Sequence, residues 1–245
     1  MKISKILAAV AMLAAAPAFA ATTFDFSNLT YTGGALHGLL PSEVLNSGYW
    51  KCTDGDVCSS NFDSTSLHHP LGGNLVYTLN GITVTATASY KKDGNWTNAT
   101  VVQDHDNNHN LAQQKGAGLG VYHSYDNSDD NITSNERLTL TFSAPVTISS
   151  LYLRSDGHNT SEWSSNATFL LDGVSTKLGG TISPHNLTGT TFTFQYGGSK
   201  ADQFYLGGLV VSAVPEPSSY AMLIGGIGLL GVVARRRKQA AKDSA

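Results

Sequence analysis

Strict alternation of apolar and hydroxyl-bearing residues dominates the middle of this chain, and it commits the backbone to strands. Ile82-Thr83-Val84-Thr85-Ala86-Thr87-Ala88 alternates without a break, and Arg137 to Phe142 sets Leu138, Leu140 and Phe142 against Thr139 and Thr141. Successive side chains of a strand point to opposite faces, so this pattern gives a strand one apolar face, whereas a helix would scatter it around the axis. Leu75 to Leu79, Asn80-Gly81 and Ile82 to Ala88 predict a hairpin, because a type I′ turn needs two residues that accept positive φ. Ala167 to Leu171, Asp172-Gly173 and Val174 to Leu178 repeat the arrangement. Val146-Thr147-Ile148 and Leu151-Tyr152-Leu153 follow Pro145 as two further short strands. Thr190 to Tyr196 places Phe192, Phe194 and Tyr196 on one side, and Phe204 to Val211 closes the series. No long amphipathic helix competes for the interior. The expected fold is all-β, a jelly-roll-like β-sandwich ectodomain over residues 21–213.

Charge is sparse and unevenly placed. Of 245 residues only 13% are charged, with a net of −3, about half the charged fraction of an ordinary globular chain. Residues 21–213 hold 8 basic and 16 acidic residues, a net of −8, so the two ends carry the cations. A nucleic-acid partner is excluded for such an acidic domain. At the start, Lys2 and Lys5 precede the apolar run Ile6 to Ala16, and Ala18-Phe19-Ala20 supplies a small-x-small cleavage site. This order is that of a secretory signal peptide, Met1 to Ala20. Export into an oxidising compartment favours a disulfide between Cys52 and Cys58, the only two cysteines, which have five residues between them, Gly55 included. Closing so short a loop contributes about 2 kcal/mol on the chain-entropy account.

At the other end Val214-Pro215-Glu216-Pro217-Ser218 is followed by an uncharged, mostly apolar stretch to Ala234 and then by Arg235-Arg236-Arg237-Lys238. Residues 218–234 would form a helix of about 25 Å, at the short limit for a transmembrane segment. Four cations resist translocation and would hold the tail to 245 in the cytoplasm. Pro-Glu-Pro, a short apolar span and an Arg-rich tail together resemble the PEP-CTERM protein-sorting signal of Gram-negative bacteria, over residues 214–238. The resemblance implies that an exosortase, a membrane-embedded cysteine transpeptidase, recognises the tail and cuts near Pro215-Glu216-Pro217. The chain would then pass from a precursor anchored in the cytoplasmic membrane to the cell envelope, surface or extracellular matrix. Two prolines around a carboxylate keep that segment extended, the form a protease-like groove can grip. Residues 116–211 also resemble, through short apolar motifs, a β-sandwich ectodomain often attached to such tails.

Catalytic signatures are missing: the chain has no Gly-x-Ser-x-Gly and no His-Glu-x-x-His. Asp104-His105-Asp106-Asn107-Asn108-His109 opens like a calcium loop, but His109 stands where the turn glycine belongs and Lys115 where the bidentate acid belongs. Asp126-Asn127-Ser128-Asp129-Asp130-Asn131 is a second oxygen-rich loop, suited to calcium and equally to a solvated turn. No metal or cofactor site is assigned, calcium being the one cation kept open. Trp50, Trp96 and Trp163, with Tyr49 and Tyr90, would be sugar-stacking platforms if exposed, though such rings are more commonly buried. The sequence thus reads as an exported, non-enzymatic surface or matrix protein with a structural or adhesive role near exopolysaccharide. A calcium-dependent carbohydrate-binding module or a polysaccharide-active enzyme on the same scaffold is the alternative.

Overall fold

The computed structural model describes residues 20–32, 35–39, 56–59, 74–105, 116–123, 130–185, 187–215 and 224–236. The expected signal peptide lies outside them, apart from Ala20. Fourteen strands run in chain order: β1 (Thr22–Asp25), β2 (Thr30–Thr32), β3 (Ala35–His37), β4 (Val57–Cys58), β5 (Leu75–Leu79), β6 (Ile82–Lys92), β7 (Asn95–Gln103), β8 (Leu119–Tyr122), β9 (Glu136–Ser155), β10 (Thr168–Leu171), β11 (Val174–Lys177), β12 (Thr181–Ile182), β13 (Leu187–Tyr196) and β14 (Phe204–Ala213). Residues 20–215 are therefore all-β over their described part.

Three two-residue turns set the hairpin registers. Leu79 pairs with Ile82 around Asn80 (φ 50°) and Gly81 (φ 77°), and Leu171 pairs with Val174 around Asp172 (φ 49°) and Gly173 (φ 80°). Both central residues take positive φ, as the type I′ geometry demands. The third, Asp93-Gly94, joins β6 to β7 through the Lys92–Asn95 pair. The same Asp-Gly signal stands in the sequence, flanked by polar residues that hide the strands on either side.

The three pieces expected at 137–142, 146–148 and 151–153 are one strand, the twenty-residue β9. Its first half pairs with β6 and β13, its second with β14 and β12. Two irregularities let it change partners. Opposite Gly189 to Thr191 of β13 the register jumps from Val146 to Thr141, across Pro145. Proline removes a ladder donor and is tolerated at such a break. Between Val210 and Val211 of β14 the register slips from Ser150 to Ile148, and the buried positions of β9 change from even (Leu138, Leu140, Phe142, Val146, Ile148) to odd (Leu151, Leu153). A bulge that adds one residue does this, because the side-chain period is two.

Twelve of the fourteen strands share one hydrogen-bonded network, which closes through β6, β7, β8, β14 and β9. The bend in β9 turns both halves onto a single core. Phe142 stacks edge-on against Phe24 of β1 at 6.4 Å and Phe192 of β13 at 5.9 Å, and Phe26 continues the row to Tyr77 of β5 at 4.9 Å. Buried Gln103 ends β7 with its amide fully used: Nε2 donates to Phe26 O and Leu39 O, and Oε1 accepts from Tyr77 Oη. This pins the residues that follow.

Residues 214–245 form a separate compact unit, of which 224–236 are a helix.

Candidate functional site

The sorting tail and a polar end of the β-domain are the two places where chemistry concentrates. In the tail, Val214 and Pro215 follow β14 outside any strand. Glu216, Pro217 and Ser218 lie outside the described residues, as do Arg237 and Lys238. Of the expected transmembrane helix over 218–234, residues 218–223 lie outside the described residues, and its C-terminal end is corrected. The helix runs past Ala234 through Arg235 and Arg236, since arginine favours helix and a charge that halts translocation does not halt the backbone. Its thirteen described residues measure about 20 Å, and among the described residues no helix is long and apolar enough to cross a membrane. Of its apolar side chains, Ile224, Leu229, Leu230, Val232 and Val233 are exposed and Ile227 is half-buried.

In the β-domain the end of β7, the residues before β8, β4 and the turn after β9 converge. Asp56, just before β4, and Asp104 and His105, just after β7, are all buried. His105 Nδ1 lies 2.6 Å from Asp56 Oδ1, and the His105 backbone N–H donates to the same oxygen at 3.1 Å. Asp104 Oδ2 accepts a short bond from the Ala117 N–H. His158, held at φ 61° in the turn after β9, brings its Nδ1 to 3.7 Å from that oxygen. Its ring meets Tyr205 edge-on at 5.5 Å, and the Tyr205 hydroxyl donates to Asp130. Asn131 completes this row, its Nδ2 donating to Asp156 Oδ1 at 2.6 Å. Arg154 stands behind the row: burial pushes its guanidinium below the ordinary arginine range, and Asp25 and Asp104 draw it back.

Arg154 also lines an open cleft of about 340 Å³, with Thr23, Asp25, Ser27, Tyr152, Thr160 and Thr181. Tyr152 is the one aromatic ring among the exposed large hydrophobics of the described residues. The rings weighed as platforms, with burial their commoner fate, lie elsewhere. Tyr90 is buried and stacked on His123 at 4.0 Å; Trp96 lies under the Arg137 guanidinium; Trp163 packs on the core and donates to Thr160 O. Tyr49 and Trp50 fall outside the described residues.

Of the two oxygen-rich loops, only Asp104 and His105 of the first and Asp130 and Asn131 of the second are described. Asp56 joins the first pair from 48 residues away, a partnership no local spacing reveals. Cys58 is buried in β4 and disulfide-bonded; Cys52, the other cysteine of the chain, lies outside the described residues. A second buried charge sits at the start of β9, where Glu136 Oε1 is 3.1 Å from His123 Nε2 and Oε2 accepts from the Thr133 N–H.

An all-β domain that ends one residue before Val214, followed by an apolar helix running into arginines, has the layout of a surface protein with a detachable C-terminal address. Residues 213–238 match the PEP-CTERM protein-sorting motif, so the chain carries this signal. The motif supports export and targeting to an exosortase. No curated protein and no solved structure matches the chain.

Proposed function

We propose that this protein is delivered through its C-terminal signal to an exosortase at the cytoplasmic membrane, cut near Pro215-Glu216-Pro217, and deployed as a non-enzymatic structural or adhesive component near exopolysaccharide. The boundary at Ala213 carries this reading. Every strand ends before Val214 and a new unit begins there, so cleavage at the motif would sever no strand and expose no new sheet edge. The cleft supports adhesion. Threonine and serine hydroxyls beside Asp25 and Arg154, with the exposed face of Tyr152, are groups suited to sugar hydroxyls and to a sugar ring. Asp25 is its lone lining carboxylate among the described residues, whereas glycoside hydrolysis uses a facing pair. Replacing Pro215, Glu216 and Pro217 together by alanine should leave uncut protein in the membrane fraction. Normal release of that variant would refute the sorting reading.

A further inference from the structure

Val57 of β4 faces Gln103 of β7, so continuing the antiparallel register by one residue sets Asp56 opposite Asp104. Like charges at facing positions repel, and both carboxylates are buried, Asp56 at 3% and Asp104 at 1% exposure. One ligand atom from each of Asp56, Asp104 and His105 falls within 4.8 Å of the others, and His158 Nδ1 flanks Asp104 from a different element. Four donors around one small cation lie about 3.3–3.6 Å apart for bonds of about 2.0–2.2 Å. The His105 Nδ1–Asp56 Oδ1 pair, hydrogen-bonded at 2.6 Å, would open by about 0.7–1.0 Å to admit the ion.

Charge balance points the same way. Asp25, Asp56 and Asp104 share this end of the domain with Arg154, which interacts with Asp25 and Asp104. Asp56 and Asp104 are both buried, where bringing two like charges together is costly. A divalent cation between them would offset that repulsion.

We propose that Asp56, Asp104 and His105 bind one divalent transition-metal ion of the zinc class, with the fourth position open to water. Two carboxylates with one imidazole nitrogen suit zinc, whereas calcium takes oxygen ligands throughout. The backbone already orients the ligands. Asp104 N–H donates to Gly118 O at 2.8 Å, Ala117 N–H holds Asp104 Oδ2, and a Cβ at Gly116 would stand 2.0 Å from Asp104 O, so only glycine permits this approach. The ion would tie the two-residue β4, which carries the disulfide-bonded Cys58, to the end of β7.

The full chain, stripped with chelator and titrated with zinc, should take up a single ion per chain by elemental analysis. Its Tm should rise by about 5–10 °C at a hundredfold excess over Kd. Calcium in the same titration should leave Tm unchanged. Asp104→Asn and His105→Gln should each weaken zinc binding at least about tenfold. Cobalt added to the stripped wild-type chain should give the visible absorption of a four-coordinate nitrogen–oxygen site, a readout that needs no folded variant. A wild-type chain that retains no zinc, shows no Tm shift and gives no cobalt spectrum would leave an ordinary His–Asp pairing and overturn the proposal. So would equal stabilisation by calcium, or unchanged zinc affinity in His105→Gln.

Discussion

Phe142→Ala tests whether the two halves of the β9 network share one core. Phe142 is 3% exposed, pairs with Val84 of β6, and meets Phe24 and Phe192 edge-on from strands on either side of the bend. Removing a buried phenyl ring forfeits about 2 kcal/mol of transfer energy. The cavity term brings such changes to about 3–5 kcal/mol, and two edge-to-face contacts at about 1 kcal/mol each favour the upper half of that range. For a domain of this size about 4 kcal/mol corresponds to a Tm lowered by about 8–16 °C. Urea unfolding of the full chain, followed by far-ultraviolet circular dichroism, measures the change, and the slope should match the wild type. Phe192→Ala and the double variant complete a cycle whose coupling should be about 1 kcal/mol. A loss under about 2 kcal/mol, or strict additivity, would refute the single shared core.

Gly120→Ala should destabilise by about 3 kcal/mol, because its Cβ would stand 1.7 Å from Asp130 O and must drive β8 away from the 130–131 segment. Chemical denaturation is the measurement, and a neutral result would mean that segment yields freely. Gly173→Ala should cost only about 1 kcal/mol: no atom lies within 4 Å of the added methyl, and only the φ of 80° opposes it. Reducing the disulfide should lower stability by about 2 kcal/mol. A thermal melt with and without reductant reads this, and coincident curves would show that the bridge constrains nothing.

Local patterns placed half of the strands, β5, β6, β9, β10, β11, β13 and β14. Asn80-Gly81 and Asp172-Gly173 specify their turns because two adjacent residues at positive φ are nearly forbidden to other side chains, so the information is complete within four residues. The alternation at Leu138, Leu140 and Phe142 is equally local. It breaks down at Pro145 and Ser149-Ser150, where the pattern reads as strand ends. Hydrogen bonds to β13 and β14 instead carry the backbone through both irregularities. The sorting tail is legible for a different reason: it is read by other machinery as a linear segment, so order and composition suffice.

Pairings of residues far apart in the chain were decided by tertiary structure. Nothing near Asp104 announces Asp56, since only the β4–β7 register brings them together. Nothing near Tyr90 or Trp96 tells that one is buried on His123 and the other covered by Arg137, while Tyr152 is left exposed. By itself the sequence determined the all-β class, two of the three tight turns and the C-terminal address, because strand period, turn sterics and a linear signal are properties of neighbouring residues. The shared core, the bend of β9 and the buried Asp–His cluster depend on which strands meet and in what register, and that is set by the packing of the whole domain.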